Sequence, residues 1–138
     1  MYGIADINNP QDIMARTVWG EARGEGFDGM CAVASVIINR VKKPTWWGHD
    51  VISVCTKPWQ FSCWNQSDPN REKLINVTTD DPQFKIALDI SAMAISGELN
   101  DITLGATSYY DKRMAQPPKW AIEKTPTTIV GNHIFFMV

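Results

Sequence analysis

Histidine is nearly absent from this chain. The 138 residues hold 2, His49 and His133, far apart and outside any cluster of Cys, Asp or Glu. Zinc sites draw three or four such ligands at short spacings, so no metal is expected, and nothing in the chain calls for a cofactor. Excess positive charge is missing as well. With 13 Lys+Arg against 15 Asp+Glu the formal charge is −2, which excludes a basic nucleic-acid domain. No window approaches the ~18 apolar residues that read as a membrane-spanning helix, so membrane insertion is not expected. Met1 to Pro10 lacks the basic stretch followed by an apolar segment that marks a secretory signal. The reading is synthesis in the cytoplasm, with delivery by some other agent if the target lies outside. Cysteine is sparse and odd in number: Cys31, Cys55 and Cys63. A domain of this length buries roughly two-thirds of its unfolded-chain surface without staples, so a disulfide framework is not required. Cys31, inside an apolar run, reads as a buried free thiol, and a Cys55–Cys63 pair stays open. Repeats, linkers and low-complexity tracts are absent. One domain, residues 1–138, is expected, as a monomer.

What is present is an ordinary globular balance, 44% apolar and 20% charged, which argues against disorder. The content of 6 Trp is high for the length. At least half read as core or surface anchors, because large aromatic surface is costly to leave wet. Others are candidates for a sugar-binding groove, where a pyranose face packs on an indole.

Asn9-Pro10-Gln11-Asp12 starts a helix: Asn9 caps it, Pro10 suits its first position and Asp12 sits at the positive end of its dipole. The helix is expected to reach about Arg23, ended by Gly24 and Gly26. Met14, Val18 and Glu21 fall on adjoining turns, which puts a carboxylate at the end of an apolar stripe. A second helix is predicted over 27–41, apolar on nearly every side and therefore central. Asn39 and Arg40 at its end read as a solvated terminus. Residues 43–80, rich in Pro, Trp, Asn, Ser and Asp, read as loops with one or two short helical turns folded over a groove. Asp81-Pro82 opens a third helix, buried through Phe84, Ala87, Leu88, Ser91, Ala94 and Ile95 and stopped by Gly97. Residues 106–110 have strand character, and Pro117-Pro118 force an extended loop carrying Trp120. Thr127 to Val130 and His133 to Val138 flank Gly131-Asn132 as a hairpin. The resulting class is α+β, mostly helical with a small antiparallel β-lobe.

The segment Trp19-Gly20-Glu21-Ala22-Arg23-Gly24-Glu25-Gly26 is the most informative stretch. Its two carboxylates lie four apart, a spacing that puts side chains on one helix face, though Glu25 falls just past the predicted helix end. Glycine beside a carboxylate clears space for a bulky substrate. Trp19 offers apolar surface that would raise a carboxyl pKa by desolvation, as a general acid requires. The plain alternative is a surface helix terminus with a solvated Glu paired to Arg23, and composition alone favours it.

This segment resembles the active-site motif of the SleB/CwlJ-type cell wall hydrolases, a family that takes in spore cortex-lytic enzymes and bacteriophage endolysins. The resemblance continues through Val33-Ala34-Ser35-Val36-Ile37-Ile38-Asn39-Arg40-Val41, Gln60-Phe61-Ser62-Cys63-Trp64-Asn65 and Gly105-Ala106-Thr107-Ser108-Tyr109-Tyr110. It ends with Pro118-Lys119-Trp120-Ala121 and Ile129-Val130-Gly131-Asn132-His133-Ile134-Phe135. It covers the chain from about residue 12 onward, in order. It implies a lysozyme-like fold related to lytic transglycosylases, peptidoglycan glycan strands as the partner, and cleavage of the β-1,4 bond between N-acetylmuramic acid and N-acetylglucosamine. The family's essential glutamate falls on Glu21. Members often carry His where this chain has Ser108, so that position receives no role.

With Glu21 as the acid, a lytic transglycosylase needs no second carboxylate, because the muramic acid's own 6-hydroxyl attacks C1. Glu25 is the candidate second carboxylate, or else an ion-pair partner. One of Tyr109 and Tyr110 can point into the groove toward Glu21 or an acetamido group while the other packs. Gln60, Phe61, Ser62, Trp64, Asn65 and Trp120 are the remaining substrate-binding candidates, and His133 reads as structural or solvated. Two alternatives stay open: a water-using muramidase with Glu25 or Asp68 as base, and a noncatalytic peptidoglycan-binding module. The expected setting is a bacteriophage endolysin reaching the wall through a membrane lesion, with a bacterial precursor or prophage remnant as the other possibility.

Overall fold

The computed structural model describes residues 3–138, so the expected domain boundary at residue 1 lies outside the described residues. Helix α1, Pro10–Ala22, begins where the cap signal places it, with the Asn9 side chain accepting from the backbone N–H of Asp12. It continues into a 3₁₀ turn, Arg23–Glu25. Gly26, at φ +78°, then turns the chain directly into α2, Gly26–Lys42. Helix α2 is central, as its all-round apolarity predicts: Ala32, Val33, Ala34, Val36 and Ile37 are completely buried.

The segment 43–80 is more helical than its composition suggests. It contains α3, Val51–Thr56, a 3₁₀ turn, Ser62–Trp64, and α4, Pro69–Asn76. Asp50 and Ser53 form a reciprocal capping box on α3, and Asp68 caps α4 ahead of Pro69. Both are the cap logic already seen at Asn9-Pro10. Each helix is short and buries only a pair of side chains, Val54 with Cys55 and Leu74 with Ile75. Too few turns are present for a period to show.

Helix α5, Pro82–Ser96, is capped by Asp81 and closed by Gly97 in the left-handed region. Its buried face is Phe84, Ala87, Ile90, Ser91 and Ala94. Leu88 is only partly buried, and Ile95 is 44% exposed, contrary to expectation; the stripe turns through Ile90 instead. Helix α5 packs on both α1 and α2.

Strands β1, Ser108–Asp111, β2, Thr128–Val130, and β3, His133–Phe136, form an antiparallel sheet in the order β1-β3-β2. Gly131 at φ +58° makes the hairpin turn. The register pairs Tyr109 with Phe135 and Asp111 with His133. β1 starts two residues later than predicted because Ala106 bonds to the Thr103 hydroxyl instead of a strand. Ala106 and Phe135 pack on Ala32 and Val36, which seats the sheet on α2. The architecture is α+β, mostly helical with a small antiparallel sheet.

All three cysteines are buried free thiols. Burial pushes Cys31 up to about 11 and Cys55 up to about 12. Trp19 and Trp47 are core residues, whereas Trp46, Trp59 and Trp120 are exposed. Among the described residues no helix is long and apolar enough to cross a membrane.

Candidate active site

The last turn of α1 carries Glu21 to the wall of a cleft of about 440 Å³ between the helices and the sheet. Both carboxylate oxygens are engaged. The Tyr109 hydroxyl donates to Oε1 at 2.6 Å, and the backbone N–H of Cys63 faces Oε2 at 3.4 Å. Burial, then the charge of Glu21, pushes the Tyr109 phenol well above its ordinary value, so Tyr109 stays a donor. Its ring is held between His133, at 4.8 Å between centroids, and Phe135, at 5.3 Å.

Gly20 explains how the 62–64 turn reaches Glu21. A Cβ there would lie 2.9 Å from Leu74 Cδ2 and 3.1 Å from the Cys63 side chain, far inside van der Waals contact. The space a side chain would take here is thus filled by protein, although Gly20 still borders the cleft. Trp19 does not supply the apolar wall assigned to it from sequence. Its indole N–H points to Asp81 at 3.3 Å, and the Arg23 guanidinium covers its ring at 4.0 Å. Phe61 and Tyr109 border the cleft instead.

Gln60, Phe61, Ser62, Tyr109, Tyr110 and Trp120 all line the cleft with Glu21. Tyr110 packs on Phe136 at 5.8 Å, and Trp120 meets the same Phe136 edge-on at 5.3 Å. Trp64 and Asn65 lie elsewhere. They line a separate concavity, and the Trp64 indole N–H is fixed on the Thr17 hydroxyl at 2.8 Å.

Neither second-carboxylate candidate reaches the cleft. Glu25 accepts from the backbone and side-chain nitrogens of Asn132 at 2.6 and 3.2 Å, tying α2's start to the hairpin turn. Burial pushes its carboxyl up, but those bonds, with His133 and Arg113, outweigh burial and hold it below the usual range. Asp68 is spent as the α4 cap.

Three ionisable residues enter the cleft that sequence reasoning did not place there, beside Asn70 and Met114. Asp111 is a cleft carboxylate, gripped by Arg113 at 2.6 and 2.9 Å and held down to about 2 by those hydrogen bonds. Arg40, read as part of a solvated terminus, is 6% exposed. Its Nε donates to the Thr107 carbonyl at 2.6 Å, and its guanidinium lies over Phe61 at 5.2 Å. Its Nη1 is buried without a partner. Burial lowers its pKa, opposed by Tyr109, Cys55 and Glu21. Its position gave a signal, since Val33, Ile37 and Arg40 share one helical stripe. His133, also 6% exposed, lines the cleft with Nδ1 buried and unpartnered. Among the described residues no group of three His, Cys, Asp or Glu could hold a metal.

This arrangement offers one carboxylate with a fixed donor on each oxygen, in a groove walled by aromatics and amides. A proton donor beside stacking surfaces suits acid-assisted cleavage of a carbohydrate.

Comparison with known proteins gives this geometry its context. The Cell Wall Hydrolase family model matches residues 24–136. The match begins just past Glu21, whose assignment therefore rests on the cleft. The spore cortex-lytic enzyme of Halalkalibacterium halodurans is 33% identical over 93% of this chain and 34% of its own length. That of Bacillus subtilis is 30% identical over 93% of this chain and 37% of its own. The chain thus spans about a third of these relatives. The crystal structure of the catalytic domain of the Bacillus cereus SleB protein aligns with a TM-score of 0.69 and 32% identity, covering 94% of this chain and 90% of that one. The catalytic domain of the germination-specific lytic transglycosylase SleB from Bacillus anthracis aligns with a TM-score of 0.69 and 31% identity, covering 92% and 93% respectively.

Proposed function

This chain belongs to the cell wall hydrolase family, and from that premise we propose that it cleaves the β-1,4 bond between N-acetylmuramic acid and N-acetylglucosamine in peptidoglycan, as a lytic transglycosylase. The observation that carries the reading is Glu21 on the cleft wall, with Tyr109 donating to one oxygen and the Cys63 amide facing the other.

Protonated Glu21 gives its proton to the bridging oxygen as the C1–O bond breaks, and positive charge develops on the muramic acid ring. The 6-hydroxyl of that ring attacks C1. Glu21, now a carboxylate steadied by Tyr109 and Cys63, takes the hydroxyl proton and is restored. No water enters, and one carboxylate serves both steps. Because nucleophile and electrophile belong to one sugar, proximity supplies much of the rate. Gln60 and Ser62 offer hydrogen bonds to sugar hydroxyls, and Trp120 offers a stacking face.

One observation favours a second reading, a water-using muramidase. Asp111 is a second carboxylate on the same cleft, and an ionised carboxylate there could hold an attacking water. Its two bonds to Arg113 count against a freely moving base. Mass spectrometry of fragments released from purified sacculi separates the two readings. Anhydro ends, lighter by one water, support transglycosylation, and hydrated ends alone support the muramidase. Glu21→Gln should remove release on the order of 10³-fold while leaving the fold intact. Equal and poor release by both proteins, with binding retained, would mean a noncatalytic module.

The setting we infer is a bacteriophage endolysin acting on the wall after passing a membrane lesion. It is supported by the resemblance, which spans endolysins as well as spore enzymes. Lysis on expression only when the membrane is permeabilised would bear it out.

A further inference from the structure

A second concavity, of about 510 Å³, shares no lining residue with the Glu21 cleft. It is formed by the stretch that also sends Gln60, Phe61 and Ser62 to the cleft. Trp59 on its rim is anomalous twice. It is 78% exposed, and its backbone stands at φ +67°, a left-handed conformation that bulky residues avoid. Wet indole and strained backbone both work against the fold, and outliers of this kind cluster at ligand sites; Leu104 shares both features, but only Trp59 borders a concavity of this size.

The rest of the lining fits one class of ligand. Trp64 presents a wall that cannot swing, since its indole N–H is held by Thr17. Asn65, Gln66 and Ser67 add amide and hydroxyl groups, and the Asn65 and Gln66 side chains make no hydrogen bond among the described residues. Lys57 is the one charged residue on the lining, exposed and without an ion-pair partner among the described residues. Flat aromatic faces with free amides match the apolar face, hydroxyls and acetamido group of an N-acetylated sugar ring. A lone cation matches the carboxylates that muramic acid and its stem peptide carry.

We propose that this concavity is a second glycan-binding site, which stacks an N-acetylhexosamine ring of a peptidoglycan strand on Trp59 and turns the strand's carboxylates toward Lys57. The choice of strand rests on the cleavage reading above. A strand held here stays beside the cleft after each cut.

The test uses ¹⁵N-labelled Glu21→Gln protein, titrated with the tetramer of N-acetylglucosamine and, separately, with soluble uncut glycan strands bearing stem peptides. The Trp59 indole resonance, assigned with Trp59→Phe, should move with both probes. Adding Trp59→Ala should weaken retention on insoluble peptidoglycan about tenfold, and adding Lys57→Gln should weaken binding of the carboxylated strands alone. A silent Trp59 resonance while that of Trp120 moves would overturn the site. So would movement of Trp59 on raising protein concentration without sugar, which would mark a contact between copies of the chain. Release of fragments from sacculi by the wild-type protein reports separately on cleavage. Release with a silent Trp59 removes this site alone, whereas no release with a moving Trp59 removes the cleavage reading and leaves the site standing.

Discussion

The hydroxyl of Tyr109 lies 2.6 Å from Oε1 of Glu21, joining residues 88 apart in sequence. It connects the end of α1 to the first strand of the sheet across the cleft. Toward an ionised carboxylate a phenol held protonated by burial donates, so it fixes the carboxylate's orientation and stabilises its charge. Tyr109→Phe keeps the ring between His133 and Phe135 and removes that one bond. Turnover of glycan strands should fall about tenfold or somewhat more, with KM little changed and thermal stability within about 1 kcal/mol of wild type. Steady-state kinetics beside a melting curve checks it. An unchanged kcat would show that the bond is not used in the reaction.

Glu25 should behave unlike Glu21 although the two share one motif. Its partners are the two nitrogens of Asn132, so Glu25→Gln loses charge-assisted bonds at the hairpin turn. A stability loss of about 1–2 kcal/mol is expected, with glycan release within a few-fold of wild type at a temperature where both proteins are folded. Urea unfolding and a release assay run side by side make the comparison. Release falling as far as in Glu21→Gln would restore Glu25 as a second carboxylate.

These contrasts show which parts of the molecule were legible in the sequence. Caps are local, so Asn9-Pro10 and Asp81-Pro82 announced α1 and α5 correctly. The same device at Asp50 and Asp68-Pro69 was hidden by a polar, tryptophan-rich background and by helices too short to show a period. The family resemblance, spread over six segments, was borne out by the profile and structural matches. The surroundings of Glu21 were harder to read. Trp19 is its neighbour in sequence but faces Arg23 and Asp81. Arg40, Asp111 and His133 reach the cleft only through tertiary packing. Arg40 could have been found from its place on the buried stripe of α2. Nothing local distinguishes Asp111 from an ordinary turn residue, since its Asp-Lys-Arg context is what a solvated turn shows.

Gly20 is predicted to be among the least tolerant positions on α1. An alanine methyl would meet Leu74 and the Cys63 side chain at 2.9 to 3.1 Å, and neither can move without disturbing the core. The gain in helix propensity, about 1 kcal/mol over glycine, is smaller than the overpacking cost of about 1–3 kcal/mol. Gly20→Ala should therefore be destabilising on balance. It should also push the 62–64 turn, and the Cys63 amide, away from Glu21, lowering kcat. Gly24→Ala is the control, because nothing lies within 4 Å of a Cβ there. Thermal melts and release rates of the two variants should diverge, and equal behaviour would mean that the turn has room to shift.

Asp111 gives the pH dependence a defined sign. Arg113 holds its carboxyl down to about 2 from an ordinary value of 3.8, so the folded state binds this proton less readily than the unfolded chain. The resulting stabilisation is fully present above the unfolded value and disappears as pH falls through the folded one. The pair is largely open to solvent, which keeps its contribution small and salt-sensitive. Arg113→Ala should lower the urea midpoint slightly at neutral pH, and less so in high salt. The difference from wild type should shrink between about pH 4 and pH 2 as Asp111 protonates in both proteins. A gap that persisted undiminished at the acid end would mean that Arg113 stabilises the loop by packing and not through the Asp111 charge.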